Sequence, residues 1–149
     1  MTNEILDHLK SLHTSAIDAR NGYQEALKQA DGKGMIALFR EMMELHERNA
    51  AELARALAKD NEAADEEGSF MTVVHETIMD VRSMFGGLEE SVLPGLIDGE
   101  KRNVSKYDDA ILSARTRPVI ANFLATQRDG IVQKIAAMEA EKAASEHKA

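Results

Sequence analysis

The sequence contains no cysteine and no tryptophan, and it has only two prolines in 149 residues. The absence of cysteine excludes disulfides, thiolate nucleophiles and cysteine-bound zinc or iron–sulfur sites. Aromatic residues make up only 4% of the chain, so a hydrophobic core must be built from Leu, Ile, Met and Ala. A core of this composition is typical of helical bundles.

Basic residues are also scarce, with 18 Lys and Arg against 26 Asp and Glu, a formal charge of −8. Because this charge repels phosphate groups, we expect neither nucleic acid nor a membrane surface as a partner. No apolar run approaches the roughly 18 residues of a transmembrane helix. Glu4 and Asp7 stand where a signal peptide would carry basic residues. We therefore expect a cytoplasmic protein.

The stretch 2–30 predicts one long α-helix with a narrow apolar stripe. Its apolar residues follow one another at alternating intervals of four and three, which aligns them on one helical face. They are Ile5, Leu9, Leu12, Ala16, Ala19, Tyr23, Ala26 and Ala30. Such a helix is not stable alone in water, so the rest of the chain must pack against it.

A glycine-rich turn at 31–34 precedes a second predicted helix over 34–59. Its inward positions are Ile36, Phe39, Met43, His46, Ala50, Leu53 and Leu57. Because the turn between them is short, the two long helices should be antiparallel neighbours.

The second half of the chain predicts one shorter helix and two longer ones. The segments are an acidic solvated linker at 60–68, a helix at 69–85, a long helix ending at 114, another at 118–141, and a frayed tail at 142–149. Pro94 either kinks the third long helix or lies in its first turn.

This pattern predicts an all-α, single-domain protein over residues 1–149 with the architecture of a ferritin-like four-helix bundle. Two antiparallel helix hairpins would be joined by the shorter helix, which would cross the length of the bundle. No strand, phosphate-binding loop or Ser–His–acid arrangement is indicated, so no catalytic residues are predicted.

Polar residues interrupt the apolar stripes at five inward positions. They are Tyr23, His46, Glu100, Tyr107 and Gln127. Counting residues from each turn at about 1.5 Å per residue places them in one central band about 10 Å deep. Asp18, beside the first stripe, reaches the same depth. Buried polar groups need partners, and a buried carboxylate must be paired, protonated or bound to a cation.

Two interpretations of this core polar layer follow. In the first, the five residues hydrogen-bond to one another and fix the register of the helices. In the second, Asp18, His46 and Glu100 hold iron, manganese or zinc, with Tyr23 or Tyr107 beside the site. The paired Glu-x-x-His motifs of di-iron bundles are broken here, because Met43 and Leu124 occupy the glutamate positions. The first interpretation is therefore favoured, with no cofactor; an organic-ligand carrier would need a cavity that periodicity does not reveal.

Several short motifs resemble a bacterial family known as domain of unknown function 2383, a ferritin-like four-helix-bundle group. They are Asp18 with Gly22-Tyr23 and Ala26, Leu38-Phe39-Arg40-Glu41 leading to Ala51-Glu52-Leu53, His75 with Asp80-Val81, and Gly99-Glu100 followed by Tyr107 and Ala110. The resemblance implies a ferritin-like bundle and supplies no activity. A histidine often found in the family's last helix is missing here.

We therefore expect a small binding or structural protein without catalytic activity. A stress-associated role is compatible with this expectation. It would act through its helical surface, on a protein partner or as a homo-oligomer. The alternative is a ferritin-like metal-binding or redox protein with a degenerate core site.

Overall fold

The computed structural model describes residues 2–30, 33–59 and 92–148. These residues form four α-helices and no strand. The helices are α1 (Asn3–Gln29), α2 (Lys33–Ala58), α3 (Leu93–Ser113) and α4 (Pro118–Lys148). The prediction of an all-α bundle is thereby confirmed for the described residues. The linker predicted at 60–68, the helix predicted at 69–85 and His75 lie outside them.

The start of α1 is fixed by Thr2, whose hydroxyl accepts a hydrogen bond from the backbone N–H of Ile5 at 3.2 Å. This is the N-cap arrangement that satisfies one of the unpaired donors of a helix start. Most of the predicted stripe is buried: Ile5, Leu9, Leu12, Ala16, Tyr23 and Ala26. Spacing therefore identified part of the face of α1 that packs into the core. Six further residues outside the stripe are also buried: Leu6, His13, Thr14, Ile17, Asp18 and Gly22.

The buried face of α2 is broader than its predicted stripe. Met35 and Met42 are fully buried, whereas their neighbours Ile36 and Met43 are only half-buried. The difference arises because α2 packs along α1 and also meets α4, so its contact face spans more than one row of side chains.

Side-chain contacts give the helix directions. Tyr23 on α1 meets Glu100 on α3, whereas the earlier Ser15 accepts a hydrogen bond from the later Lys106 at 2.8 Å. Later residues of α3 thus contact earlier residues of α1, so these two helices are antiparallel.

The same argument applies to α2 and α4. Gln127 on α4 contacts Asn49 on α2, and the later Lys134 pairs with the earlier Glu41 at 3.2 Å. Helices α1 and α2 form one packed hairpin and α3 and α4 form another. Helices α2 and α3 consequently run in the same direction, and all four enclose the polar residues of the core.

The structure shows that Pro94 lies in the first turn of α3, and that α4 ends later than predicted. Helix α3 begins at Leu93 with Pro94 in its first turn, where proline is tolerated because that N–H has no helical partner. Helix α4 continues to Lys148, beyond the predicted end at 141. Its last residues are mostly Ala, Glu and Lys, which favour helix strongly, and Lys142 pairs with Glu146 at 3.5 Å. No helix in the described ranges is long and apolar enough to cross a membrane.

Candidate functional site

The carboxylate of Glu100 is the point at which three helices meet. Tyr23 Oη donates a hydrogen bond to Glu100 Oε2 at 2.8 Å, and His46 Nε2 lies 2.8 Å from the same oxygen. Asn103 Nδ2, one turn further along α3, approaches Glu100 Oε1 at 3.5 Å. Glu100 is only 4% exposed, and Tyr23 and His46 are also buried. Side chains from α1, α2 and α3 are therefore joined inside the bundle through one carboxylate.

Ring packing holds the two donors in position. The rings of Tyr23 and His46 are stacked, with centroids 5.8 Å apart and an interplanar angle of 10°. Phe39 lies two helical turns before His46 on α2, and its ring packs against that of Tyr23 with a centroid distance of 6.1 Å. The hydrogen bonds to the carboxylate are therefore flanked by buried aromatic rings.

The pKa of Glu100 results from two opposing effects. Burial by itself raises the pKa of this carboxyl group, since desolvation disfavours the charged form. The charge interaction with His46 and the hydrogen bonds from His46, Tyr23 and Asn103 outweigh burial, so the pKa lies below its ordinary value. An ionised carboxylate only accepts hydrogen bonds, so His46 Nε2 carries the proton of that contact.

A second buried network lies further along α3. Tyr107 Oη donates to Gln127 Oε1 at 2.6 Å. The amide Nε2 of Gln127 donates to the backbone oxygen of Asn49 at 3.2 Å and to Glu52 Oε1 at 3.0 Å. Tyr107 and Gln127 are buried, whereas Glu52 is at the surface. This network links α3, α4 and α2.

Both tyrosines have raised pKa values. Burial is the largest cause for Tyr23, followed by the charge of Glu100 and its hydrogen bond, and the pKa is raised well above its ordinary value. Burial also raises the pKa of Tyr107, with smaller contributions from the charges of Glu100 and Glu52. Folding therefore favours the protonated phenol at both positions.

The raised pKa values predict how the protein responds to alkaline pH. A folded-state pKa above the unfolded value of about 10 gives stability that is complete below about pH 10 and is lost as the pH rises further. Tyr23 and Tyr107 are the two tyrosines of the chain, which has no tryptophan. Tyrosinate absorbance should therefore remain absent at about pH 11 and then appear together with the loss of helical circular dichroism. Tyrosinate forming near pH 10 in a fully helical protein would contradict this prediction.

The structure places the predicted residues as follows. The five residues of the core polar layer are all buried, and they form two networks, one centred on Glu100 and the other on Gln127. Asp18 is also buried, but the hydrogen bonds to Glu100 come from other residues. Within the described residues, no three His, Asp or Glu side chains form a group that could hold a metal ion.

Sequence reasoning missed three participants in these networks. Asn49, Glu52 and Asn103 contribute a backbone oxygen, a carboxylate and an amide. Asn49 and Asn103 each lie three residues after a predicted site residue, His46 and Glu100. Residues three apart share a helix face, so this spacing was an available signal. Glu52 is exposed and lies off the predicted apolar stripe, so helical spacing did not indicate it, although it belongs to the Ala51-Glu52-Leu53 motif of the family resemblance.

Comparison with known proteins adds a family assignment. Residues 4–113 match the family described as a domain of unknown function (DUF2383). The matched region contains Tyr23, His46, Glu100 and Tyr107, and it ends where α3 ends, so Gln127 and the rest of α4 lie beyond it. No match to a curated protein was found. Because the match covers more than half of the chain, the protein belongs to the DUF2383 family.

Proposed function

We propose that this protein is a non-catalytic, ferritin-like helical bundle of the cytoplasm that acts by binding other proteins through its surface. In this proposal the Glu100 network is structural and keeps α1, α2 and α3 in register. The observation that carries the proposal is the occupation of the Glu100 carboxylate by donors from the protein itself. A carboxylate used in this way has little remaining capacity to bind a substrate or an ion.

The helix directions support the ferritin-like connectivity. Helices α2 and α3 run in parallel while each hairpin is antiparallel, as in bundles that have one long crossover connection. The formal charge of −8 supports a protein partner over nucleic acid or anionic lipid. Charges on the exposed faces of α2 and α3 supply polar surface on which such a partner could bind.

The competing function is metal binding through Asp18, His46 and Glu100. A buried imidazole and a buried carboxylate 2.8 Å apart favour it, since both groups are common ligands of iron, manganese and zinc. It requires His46 and Glu100 to separate from each other and turn toward an ion. The two proposals therefore differ in whether Glu100 keeps its hydrogen bonds to Tyr23 and His46 when metal is added.

Metal content distinguishes the two proposals. Untagged protein from cells grown with added iron, manganese and zinc should contain far less than one metal ion per chain. Glu100→Gln, which keeps the side-chain volume and a hydrogen-bond acceptor, should leave that content unchanged. Asp109→Asn, which removes an exposed carboxylate from the same helix, is the matched control. Stoichiometric metal that is lost in Glu100→Gln and retained in Asp109→Asn would replace the structural role with a metal site.

A further inference from the structure

The middle of α1 is buried on the side that faces away from the core as well as on the side that faces it. Tyr23 marks the inward side, because its ring stacks on His46 of α2 and its hydroxyl contacts Glu100 of α3. Thr14 lies nine residues before Tyr23, or about two and a half helical turns, so the two side chains leave α1 in opposite directions. Thr14 is nevertheless only 7% exposed. Some other part of the chain must therefore cover α1 on the side opposite the core.

Thr14 shares this side of the helix with Ile17, Asp18 and Asn21, and we call these four residues the outward face of α1. Positions three, four and seven residues apart lie on one side of a helix. Ile17 and Asp18 are each 1% exposed, and Asn21 is half-buried. The outward face contains a carboxylate and a hydroxyl, so the part of the chain that covers it must supply polar groups as well as apolar ones.

The described helices reach α1 from the other side. Helices α2 and α3 pack against α1 and contact Tyr23, whereas α4 packs against α3 and α2 across the bundle. The burial is present within a single copy of the chain, so a second molecule is not its source. Besides residues 60–91, the chain outside the described ranges consists of residue 1, residues 31–32 and residue 149. These few residues precede α1, join it to α2 or follow α4, which leaves residues 60–91 as the source of the cover.

The helix arrangement leaves two routes for residues 60–91. Helices α2 and α3 lie diagonally across the bundle, because α1 and α4 each pack against both of them. Since α2 and α3 run in the same direction, the end of α2 and the start of α3 are at opposite ends of the bundle, separated by about the 40 Å length of α1. The 32 residues between them could span about 105 Å if fully extended. The connection is therefore long enough to pass outside α1 or outside α4.

Exposure distinguishes the two routes. On α4, the side away from the core is open to water at Asn122, Asp129, Gln133 and Ala136. On α1, by contrast, the outward face is buried. We propose that residues 60–91 cross the bundle over the outward face of α1 and pack against it. The surfaces left open to a protein partner are then the outward sides of α2, α3 and α4.

The amino-acid sequence of residues 60–91 suits the outward face of α1. It contains apolar residues at intervals of three and four, which need a surface on which to be buried. They are Phe70, Val74, Ile78, Val81 and Phe85. It also contains two basic residues, His75 and Arg82, which are the groups able to pair with the carboxylate of Asp18. Apolar and cationic groups are thus both available for a face that contains Ile17 and Asp18.

This inference deepens the proposed function and rests on it in one respect, because it identifies the faces through which a protein-binding bundle could act. Its observations concern α1 and the connection between helices, whereas the proposed function depends on the contacts of Glu100. A different route for residues 60–91 would leave the structural role of Glu100 intact, and a metal bound at Glu100 would leave the route unchanged.

Disulfide cross-linking tests the route, because the chain has no native cysteine. Asn21→Cys is combined in turn with one cysteine at each position from 72 to 79, the middle of residues 60–91. Mild oxidation should join at least one of these pairs within the same chain, since a disulfide needs Cβ atoms about 3.5–4.5 Å apart. The matched control is Gln133→Cys, which replaces an exposed amide on the outward side of α4 at a similar depth in the bundle. Its cross-linking to the same positions should be at least about tenfold slower.

Thiol labelling gives a second, independent measurement. A single Thr14→Cys should react with a maleimide at least about tenfold more slowly than a single Gln133→Cys, and the two rates should become similar in urea. Circular dichroism checks that every variant remains folded in buffer. The absence of any disulfide from Asn21→Cys, or faster cross-linking from Gln133→Cys, would overturn the route over α1. Labelling of Thr14→Cys as fast as that of Gln133→Cys would show an open face and would also overturn the proposal.

Discussion

Glu100→Ala is expected to lower the free energy of unfolding by about 3–5 kcal/mol, because each buried hydrogen-bonding group left without a partner costs about 1–3 kcal/mol. The alanine would leave Tyr23 Oη and His46 Nε2 buried without the acceptor that they share. It would also create a cavity at a residue that is only 4% exposed. Urea unfolding followed by circular dichroism measures the change.

Two further variants separate the polar contribution from the cavity. Glu100→Gln keeps the volume and an acceptor but removes the charge, so its effect should be smaller, about 1–3 kcal/mol. Asp109→Ala removes an exposed carboxylate from the same helix and should change stability by less than about 0.5 kcal/mol. If Glu100→Ala cost no more than Asp109→Ala, the carboxylate would not organise the core.

The pH dependence of stability follows from the lowered pKa of Glu100. A carboxyl group with a depressed folded-state pKa contributes stability that is present above its unfolded value of about 4.3 and is lost as the pH falls through the folded value. Part of the acid destabilisation of the wild type should therefore be absent in Glu100→Gln. The folded pKa of Glu100 lies below its ordinary value, so this loss of stability occurs at acid pH and does not act as a switch near neutral pH.

The existence of the buried polar layer could be predicted from sequence, whereas its internal pairing could not. Helical spacing depends only on the position of a residue along one chain segment, so it identified His46, Glu100 and Gln127 as inward-facing. Which donor meets which acceptor depends on side-chain rotamers and on the relative depth of neighbouring helices. Tyr107 follows Glu100 by two helical turns, and this separation divides the layer into two networks.

Helical spacing predicted the buried face of α4 but not its exposed face or its end. The inward stripe of α4 was found because Leu124, Ile131 and Ile135 recur at helical intervals. Five of the fourteen exposed positions between Pro118 and Glu146 are alanine, which is common in buried and exposed helix positions alike, so the exposed face gave no periodic signal. The continuation of the helix to Lys148 was missed for the same reason, because alanine-rich sequence carries high helix propensity without a hydrophobic pattern.

Gln127→Leu is expected to lower the free energy of unfolding by about 1–3 kcal/mol, because it leaves the buried hydroxyl of Tyr107 without its acceptor. It also removes the contacts of α4 with Asn49 and Glu52 on α2. Amide hydrogen exchange should therefore accelerate more in α4 than in α1. Gln24→Leu, at an exposed glutamine on α1, is the matched control and should change stability by less than about 0.5 kcal/mol.

A double-mutant cycle tests whether the hydroxyl is the cause. Replacing both partners of a buried hydrogen bond by apolar groups can be nearly neutral, since no polar atom is then left unpaired. Tyr107→Phe combined with Gln127→Leu should thus be less destabilising than the sum of the single changes, with a coupling of about 0.5–3 kcal/mol. Both proteins that contain Tyr107→Phe should also lose less stability at alkaline pH than the wild type, because the phenol whose pKa is raised by folding is gone. Additive effects in the cycle would mean that Gln127 holds α4 through its contacts with α2 alone.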